Sequence, residues 1–188
     1  MAMPAAIPRY TLDDLDSFPN DGNTYELLDG VLHVSPGPAM VHEIVAGHLI
    51  MTLNRYLPPR SAWVFSRGSV ELAPRTHLEP DVVVIPVDEP PGGVSMETRW
   101  TAVKRWWLVV EVSGRGSRVY DRDRKVPTYL ALGVPEVWRV DLVALSVEVW
   151  TPAGMETHGM DSRLVWHPPG LPEPLVIEVS ELLEAAAR

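Results

Sequence analysis

Two acidic residues of this chain stand at the ends of apolar runs, where an ionised carboxylate needs a compensating partner. Asp81 precedes the run 82–85, and Glu111 follows the run 108–110. A lone buried carboxylate is costly unless a basic side chain, several backbone N–H donors or a metal ion compensates it. Two such acids side by side repel each other, and a divalent cation removes that conflict. Because Mg²⁺ favours one or two carboxylates completed by water and phosphate oxygens, the pair suggests a metal site for phosphate chemistry.

A structural interpretation of the same two acids stays open. Asp81 follows Pro80 and could form an Asx turn at the start of a strand. Glu111 could form a buried ion pair with Arg139 or Lys125. Spacing alone favours this interpretation over a metal site.

The position of Lys125 in the sequence favours a catalytic site over a purely structural role for the two acids. If a helix begins near Ser117, then Asp121, Lys125 and Tyr129 share one stripe at i, i+4 and i+8. That stripe would face the end of the preceding strand, where Glu111 stands. A lysine there can orient a metal-bound water or stabilise negative charge on a phosphate. The alternative is a surface pair between Asp121 and Lys125, worth about 0.3–0.5 kcal/mol.

The elements that must position these groups follow from the spacing of apolar residues. TLDDLDSF predicts a short helix with Thr11 as its N-cap. TYELLDGVLHVSP predicts a hairpin that turns at Asp29-Gly30. Residues 40–57 have helical spacing, which ends at Pro58-Pro59.

The rest of the chain alternates strands with one helix. WVFSRGSVELAP, EPDVVVIP and WWLVVEV predict strands, with Gly68 as a bulge or turn in the first. Residues 117–132 predict a helix, and VPEVWRVD with LSVEVWTP predicts a hairpin. One or two short strands and a helix capped by Ser180 complete the chain. This order predicts an α/β (α+β) domain in which helices flank a mixed central β-sheet.

Composition narrows the class of protein. The 188 residues fit one domain, and the absence of Cys excludes disulfides and a Cys nucleophile. The sequence shows no signal peptide and no apolar run that approaches the roughly 18 residues of a membrane span, so we expect a cytoplasmic protein. The net charge of −9 argues against a broad nucleic-acid-coating surface. The segment 115–125, with five basic and two acidic residues, could still bind phosphate locally.

Other catalytic arrangements are excluded by spacing. His42 and His48 lie six residues apart, so they do not share a helix face as the two histidines of H-E-x-x-H do. The GRG at 114–116 lacks the remaining residues of a dinucleotide loop or a P-loop, and no G-x-S-x-G elbow exists. His77 is isolated in the sequence, and we expect it in a loop or facing solvent.

Several segments together resemble a known family. YELLDGVLHVSP, EPDVVVIP, LVVEVS and DRDRKVPTYLALGVPEVWRVD are similar to the Uma2 proteins over about residues 10–185. These are bacterial proteins with a restriction-endonuclease-like fold of the PD-(D/E)XK nuclease superfamily. The resemblance implies a single domain over 10–188 behind a flexible tail, 1–9.

The resemblance also implies a Mg²⁺- or Mn²⁺-dependent phosphodiesterase site. Pro80-Asp81 matches the PD of the superfamily, and Glu111 matches the second acid, so both would be metal ligands. The carbonyl of Val112 would be a further ligand. Glu26 resembles an N-terminal acid of the family that would complete the metal shell.

The lysine of the site departs from the usual superfamily position. Two residues after the second acid this chain has Ser113, and Lys125 on the following helix matches the lysine of Uma2-like proteins. His42 resembles a recurring family histidine, and we expect it and Asp121 to be accessory residues. The chain reads EVSGRGSRVYD where the family usually has EV-x-S-P-S-x, so the loop before the helix differs.

The sequence therefore predicts a metal-dependent endonuclease that acts on DNA, with Asp81, Glu111 and Lys125 as catalytic residues. We expect phosphate contacts from three arginines of the basic segment: Arg115, Arg118 and Arg122. One alternative is a binding module that keeps the fold and never cuts. Another is a regulatory or scaffold protein whose homodimer surface, formed by strands after Trp138, is the functional part.

Overall fold

The computed structural model describes residues 8–188, so most of the predicted tail, residues 1–7, lies outside the described residues. The helices are α1 (Leu12–Leu15), α2 (Met40–Tyr56), α3 (Arg118–Tyr120), α4 (Val126–Ala131), α5 (Val179–Leu182) and α6 (Glu184–Ala187). The first six strands are β1 (Thr24–Leu28), β2 (Val31–Ser35), β3 (Ala62–Ser66), β4 (Val70–Leu72), β5 (Thr76–Leu78) and β6 (Val82–Pro86). The others are β7 (Leu108–Ser113), β8 (Val137–Asp141), β9 (Ser146–Thr151), β10 (Gly154–Gly159), β11 (Arg163–Trp166) and β12 (Leu175–Glu178).

A six-stranded sheet in the order β10-β9-β8-β7-β6-β3 forms the centre of the molecule. Strands β7 and β8 are parallel, and the other neighbours are antiparallel. A four-stranded sheet, β2-β1-β5-β4, and the pair β11-β12 lie outside it. The predicted mixed central sheet with flanking helices is confirmed.

The two faces of the central sheet bury different partners because side chains alternate along each strand. On one face, Val110 and Val84 pack with Leu49 of α2 and with the C-terminal segment. On the other face, Val109 and Val83 pack with α4 and the four-stranded sheet. Central strands covered on both sides explain the unbroken apolar runs in β6 and β7.

The N-terminal elements are those that the sequence predicts. Thr11 and Asp14 form a capping box at α1, in which the Thr11 backbone N–H donates to Asp14 Oδ2 at 2.7 Å. The β1–β2 hairpin turns at Asp29 and Gly30, with φ of 51° and 78°, which is the left-handed conformation that this turn needs.

One strand prediction and one helix-cap prediction are wrong, and one strand was not predicted. The single strand predicted in WVFSRGSVELAP is β3 and β4, which belong to different sheets. Gly68 separates them where a Cβ would lie 2.9 Å from the Trp100 ring and 3.0 Å from Val83. No sequence pattern predicts β5. The C-terminal helix begins at Val179 with Glu178 as its N-cap residue, so Ser180 is not the cap.

Among residues 8–188, no helix has the length and apolar character needed to cross a bilayer.

His77 is not a loop histidine, because β5 buries it between two acids. Its Nδ1 lies 2.9 Å from Glu71 Oε1, and its Nε2 lies 3.0 Å from Glu79 Oε1. Burial lowers the pKa of His77, but the hydrogen bonds and negative charges of the two glutamates outweigh it and raise that pKa to about 9. The protonated imidazole therefore ties β4 to the end of β5.

This arrangement predicts a pH-dependent stability. A histidine pKa raised from 6.5 to about 9 stabilises the fold fully below pH 6.5, and that contribution is lost as the pH rises through 9. We expect the free energy of unfolding of the wild type to exceed that of His77→Gln at pH 6 by about 3 kcal/mol more than at pH 10. Urea unfolding at both pH values measures this. A difference between the two proteins that does not change with pH would contradict it.

Candidate active site

Asp81 and Glu111 are brought together by the antiparallel pairing of β6 and β7. Val82 lies opposite Val110, so the residues one step further, Asp81 and Glu111, face each other across the same register. Alternation puts both on the same face of the sheet as Val109. Asp81 Oδ2 accepts the Val112 backbone N–H at 2.7 Å, which fixes the aspartate against β7.

The Lys125 side chain extends from the helical segment 118–131 towards Glu111. Its Nζ lies 2.7 Å from Glu111 Oε1 and 2.8 Å from Glu26 Oε1, and the side chain is only 4% exposed. Glu26 Oε1 also accepts the Glu79 backbone N–H at 2.8 Å, which connects the four-stranded sheet to the same cluster. Glu26, Glu111 and Lys125 therefore form one buried charged group.

A π-helical turn, Asp121–Lys125, interrupts the segment between α3 and α4. The Val126 backbone N–H donates to the Asp121 carbonyl, five residues back. Pro127, which lacks an N–H, follows directly and cannot extend the normal ladder. The wider turn buries both Asp121 and Lys125, and such bulges are frequent at functional sites.

Tyr129 completes the predicted stripe on this segment. Its hydroxyl donates to Glu111 Oε1 at 2.5 Å, and the residue is fully buried. Asp121, Lys125 and Tyr129 therefore all face the end of β7, as their spacing predicts. Asp121 Oδ2 accepts the Ser113 hydroxyl at 2.8 Å.

The ionisable groups of the cluster shift one another's pKa values. Burial raises the pKa of Glu111, Lys125 opposes that rise, and the negative charges of Asp121, Asp81 and Glu26 add to it. Burial lowers the pKa of Lys125, but the negative charges of Glu111 and Glu26 exceed that effect and raise it well above its usual value. Lys125 thus stays protonated among four acidic side chains: Glu26, Asp81, Glu111 and Asp121.

His42 contacts the other side of Asp81. Its Nε2 lies 3.0 Å from Asp81 Oδ2, and its Nδ1 is buried with no hydrogen-bond partner among residues 8–188. Burial lowers the pKa of His42, and its hydrogen bond and charge interaction with Asp81 raise it by more. The histidine therefore donates to Asp81 from the first turn of α2.

The predicted phosphate-binding arginines differ in how free they are. Arg118 donates from Nε to Asp141 Oδ2 at 2.8 Å, and Arg122 Nε lies 3.3 Å from Glu148. Arg115 is exposed at the cleft and forms no salt bridge among the described residues. Arg118 and Arg122 are therefore paired with acids of this chain, whereas Arg115 faces outwards.

The ion pair considered for Glu111 is formed by Lys125. Arg139 lies beside Glu111 in the parallel register of β7 and β8, but its guanidinium donates to Asp141 and Glu148 instead. The guanidinium thus belongs to a separate buried network at the start of α3.

All of the predicted catalytic and ligand residues line one open cleft of about 560 Å³. It contains Glu26, His42, Asp81, Glu111, Val112, Asp121 and Lys125, with Gly114, Arg115 and Gly116 at its edge.

The donor set fits a hard divalent cation. The contacts described above use one oxygen of each acid, Oδ2 of Asp81 and Oε1 of Glu26 and Glu111, so the second oxygens are available as ligands. No three His, Asp or Glu side chains within residues 8–188 form a ready-made metal shell. Mg²⁺ needs only one or two carboxylates, and the acidic side chains of the cluster favour a cation here.

Sequence reasoning missed two contributions to this site. The Glu79 backbone N–H that holds Glu26 comes from the residue directly after β5, a strand that no sequence pattern predicts. His33 stacks on Tyr120 at 3.7 Å between ring centroids and 11° between ring planes, and both line the cleft. The hairpin pattern could have placed His33 opposite Glu26, since the register follows from the turn.

Tyr129 provides a test of the buried cluster. Tyr129→Phe removes the hydrogen bond to the buried Glu111 carboxyl, and we expect a loss of about 1–3 kcal/mol in the free energy of unfolding. Tyr25→Phe, which removes an exposed bond to Asp21, is the matched control with a smaller expected loss. Urea unfolding measures both, and equal losses would contradict the buried role of the Tyr129 hydroxyl.

Comparisons with known proteins agree with this architecture. The Uma2 family profile, described as "Putative restriction endonuclease", matches residues 12–180. A crystal structure from Anabaena variabilis, described as a putative nuclease belonging to DUF820, superposes with a TM-score of 0.77 at 17% sequence identity. The match covers 94% of this chain and 98% of that one, and at this identity it shows a shared fold. The curated proteins include no match to the chain.

Proposed function

Since this chain belongs to the Uma2 family, we propose that it is a divalent-metal-dependent nuclease that hydrolyses phosphodiester bonds in DNA. One observation carries the proposal. Asp81, Glu111 and Lys125, which are far apart in the sequence, line the same cleft, with Lys125 in contact with Glu111. Nuclease-like function is what the family match supports, and the metal and DNA are our extension of it.

The proposed metal ligands are Asp81 and Glu111, with Glu26 and the carbonyl of Val112 completing the shell. A bound Mg²⁺ or Mn²⁺ would polarise the phosphate and lower the pKa of a coordinated water. His42 holds Asp81 Oδ2 through its Nε2, and the Val112 N–H holds the same oxygen from the other strand. These two bonds orient the Asp81 carboxylate before any ligand arrives.

Lys125 acts on the reacting phosphate in this proposal. Its ammonium is held by Glu26 and Glu111, so it has a fixed position beside the second acid. From there it positions the attacking water or offsets negative charge that grows on the phosphoryl oxygens. Tyr129 keeps the Glu111 carboxyl in place through its hydroxyl.

The DNA backbone would be contacted at the edge of the cleft. Arg115 is an exposed cation there that forms no salt bridge among residues 8–188, and Gly114 and Gly116 have open space around them. Arg118 and Arg122 would have to exchange Asp141 and Glu148 for phosphate. We also propose that the protein is a cytoplasmic homodimer, in which two such sites would be present wherever both strands of a DNA segment are cut.

The proposal is tested by nicking of a supercoiled plasmid with Mn²⁺ and with a chelator. We expect metal-dependent nicking by the wild type and none by the variant Asp81→Asn/Glu111→Gln. Salt-dependent DNA binding without nicking would replace the proposal with a non-catalytic binding module. A stable dimer with no DNA affinity would favour a scaffold role.

A further inference from the structure

The wall of the cleft carries an aromatic stack that the proposed mechanism does not use. The rings of His33 and Tyr120 lie nearly parallel, with 3.7 Å between their centroids and 11° between their planes. Both residues line the cleft that contains Asp81 and Glu111. We call this pair the base platform.

The base platform begins directly beside the proposed reaction centre. His33 pairs with Glu26 across the β1–β2 hairpin, so their side chains share a face, with Cβ atoms roughly 5 Å apart. Glu26 in turn contacts Lys125. On the other side of the stack, Tyr120 immediately precedes Asp121 in the bulged segment. A group lying on the platform would therefore adjoin the acids and Lys125.

Tyr120 contributes to the cleft through its ring and not through its hydroxyl. The hydroxyl oxygen is buried and has no hydrogen-bond partner among residues 8–188, which is an unfavourable state for a polar group. Burial, and next the negative charge of Glu26, raises the pKa of Tyr120, so the hydroxyl stays neutral. What the residue supplies is a flat face that supports His33.

Electrostatic attraction to phosphate is limited in this protein. The net charge is −9, and three of the four arginines at or near the cleft, Arg67, Arg118 and Arg122, are paired with acids of the chain. Non-specific affinity for duplex DNA comes from phosphate neutralisation, so Arg115 alone would supply little of it. Stacking on an aromatic face adds affinity for any base without further charge.

We propose that the base platform receives an unpaired nucleobase, so that the preferred substrate is single-stranded DNA or an unpaired DNA segment. In a duplex, neighbouring bases cover both faces of each base, and only an unpaired or extruded base can lie on a protein ring. This inference rests on the proposed function, because it takes the cleft to be the nucleic-acid site.

The test is binding of a fluorescent thymidine strand of about 12 nucleotides and of a hairpin duplex, in Ca²⁺ buffer, by anisotropy. We expect His33→Ala to weaken binding of the strand about tenfold or more and to leave the hairpin unchanged. His33→Phe, which keeps a flat ring on a strand, should bind the strand nearly as the wild type does. His167→Ala, an exposed histidine outside the cleft, is the control for loss of an imidazole. Melting temperatures identify any variant that is unfolded.

The outcomes separate this inference from the proposed function. Equal weakening for strand and hairpin, no weakening, or failure of His33→Phe to restore binding would overturn the base platform, even if the wild type nicks plasmid. The expected binding pattern without nicking would support the platform and end the nuclease proposal. If the wild type binds neither probe, both are overturned.

Discussion

Replacing Lys125 with methionine is expected to lower the DNA cleavage rate by a factor of about 100 or more and to destabilise the fold. The rate falls because a fixed positive donor is removed from the phosphate, and a single preorganised donor is commonly worth about 10²–10³ in rate. Stability falls because Glu26 and Glu111 lose their buried partner, at a cost of about 3–5 kcal/mol. Single-turnover cleavage and urea unfolding measure the two effects.

The destabilisation of Lys125→Met should depend on pH. Burial and neighbouring acids raise the pKa of Glu111, and the variant lacks Lys125, whose positive charge opposes that rise. A carboxyl whose folded-state pKa lies above its unfolded value stabilises the fold below the unfolded pKa and loses that contribution as the pH rises through the folded one. The variant should therefore regain stability towards pH 5. Stability that falls further at pH 5 would contradict this.

The chain offers a matched control and a rescue for this variant. Lys104 is its other lysine, and it is exposed, so Lys104→Met should change neither rate nor stability appreciably. The double variant Glu111→Gln/Lys125→Met removes one of the unpaired charges and should recover part of the lost stability. It should stay inactive. Full activity in Lys125→Met would remove this lysine from the mechanism.

Asp81→Asn is expected to abolish detectable Mn²⁺ binding and to lower cleavage by a factor of about 10³. The amide is neutral and is a far weaker ligand for a hard cation, while the metal contributes several kcal/mol to the reaction. The fold should be little changed, because the amide oxygen can still accept the Val112 N–H. Calorimetric titration with Mn²⁺ measures the binding.

Lys125→Met separates ligand from catalyst in the same titration. It should keep Mn²⁺ affinity, since no ligand is lost, whereas Asp81→Asn should not. Asp123→Asn, on the exposed side of the π-helical turn, is the control for loss of an aspartate charge. Mn²⁺ binding by Asp81→Asn that equals the wild type would dismiss Asp81 as a ligand.

Much of this site could be predicted from local sequence patterns. The apolar runs around Asp81 and Glu111 identified two strands, and alternation along paired strands put both acids on one face. The i, i+4, i+8 spacing put Lys125 and Tyr129 on the side facing Glu111. The π-helical turn altered the geometry of this stripe without changing which residues it contains.

The features that were missed depend on contacts between distant segments. Lys125 of the π-helical turn contacts Glu26 of β1. No sequence pattern near either residue indicates that β1 lies over this end of β7. The sequence predicts a loop or solvent position for His77 because its partner Glu71 becomes a neighbour only when β4 and β5 pair. The other partner, Glu79, is two residues further along the chain. The acids that pair with Arg118 and Arg122 come from β8 and β9. Because these strands are distant in the sequence, the basic segment alone predicts two unpaired arginines that are in fact paired.

A crystal of the wild type soaked in Mn²⁺ and measured for anomalous scattering tests the central claim most directly. We expect one strong peak in the cleft, within roughly 2.0–2.6 Å of carboxylate oxygens from both Asp81 and Glu111, with Lys125 beside it. An empty cleft at saturating Mn²⁺, or a peak that contacts neither acid, would contradict it. Glu111 and Lys125 would then be a buried ion pair that serves the fold alone.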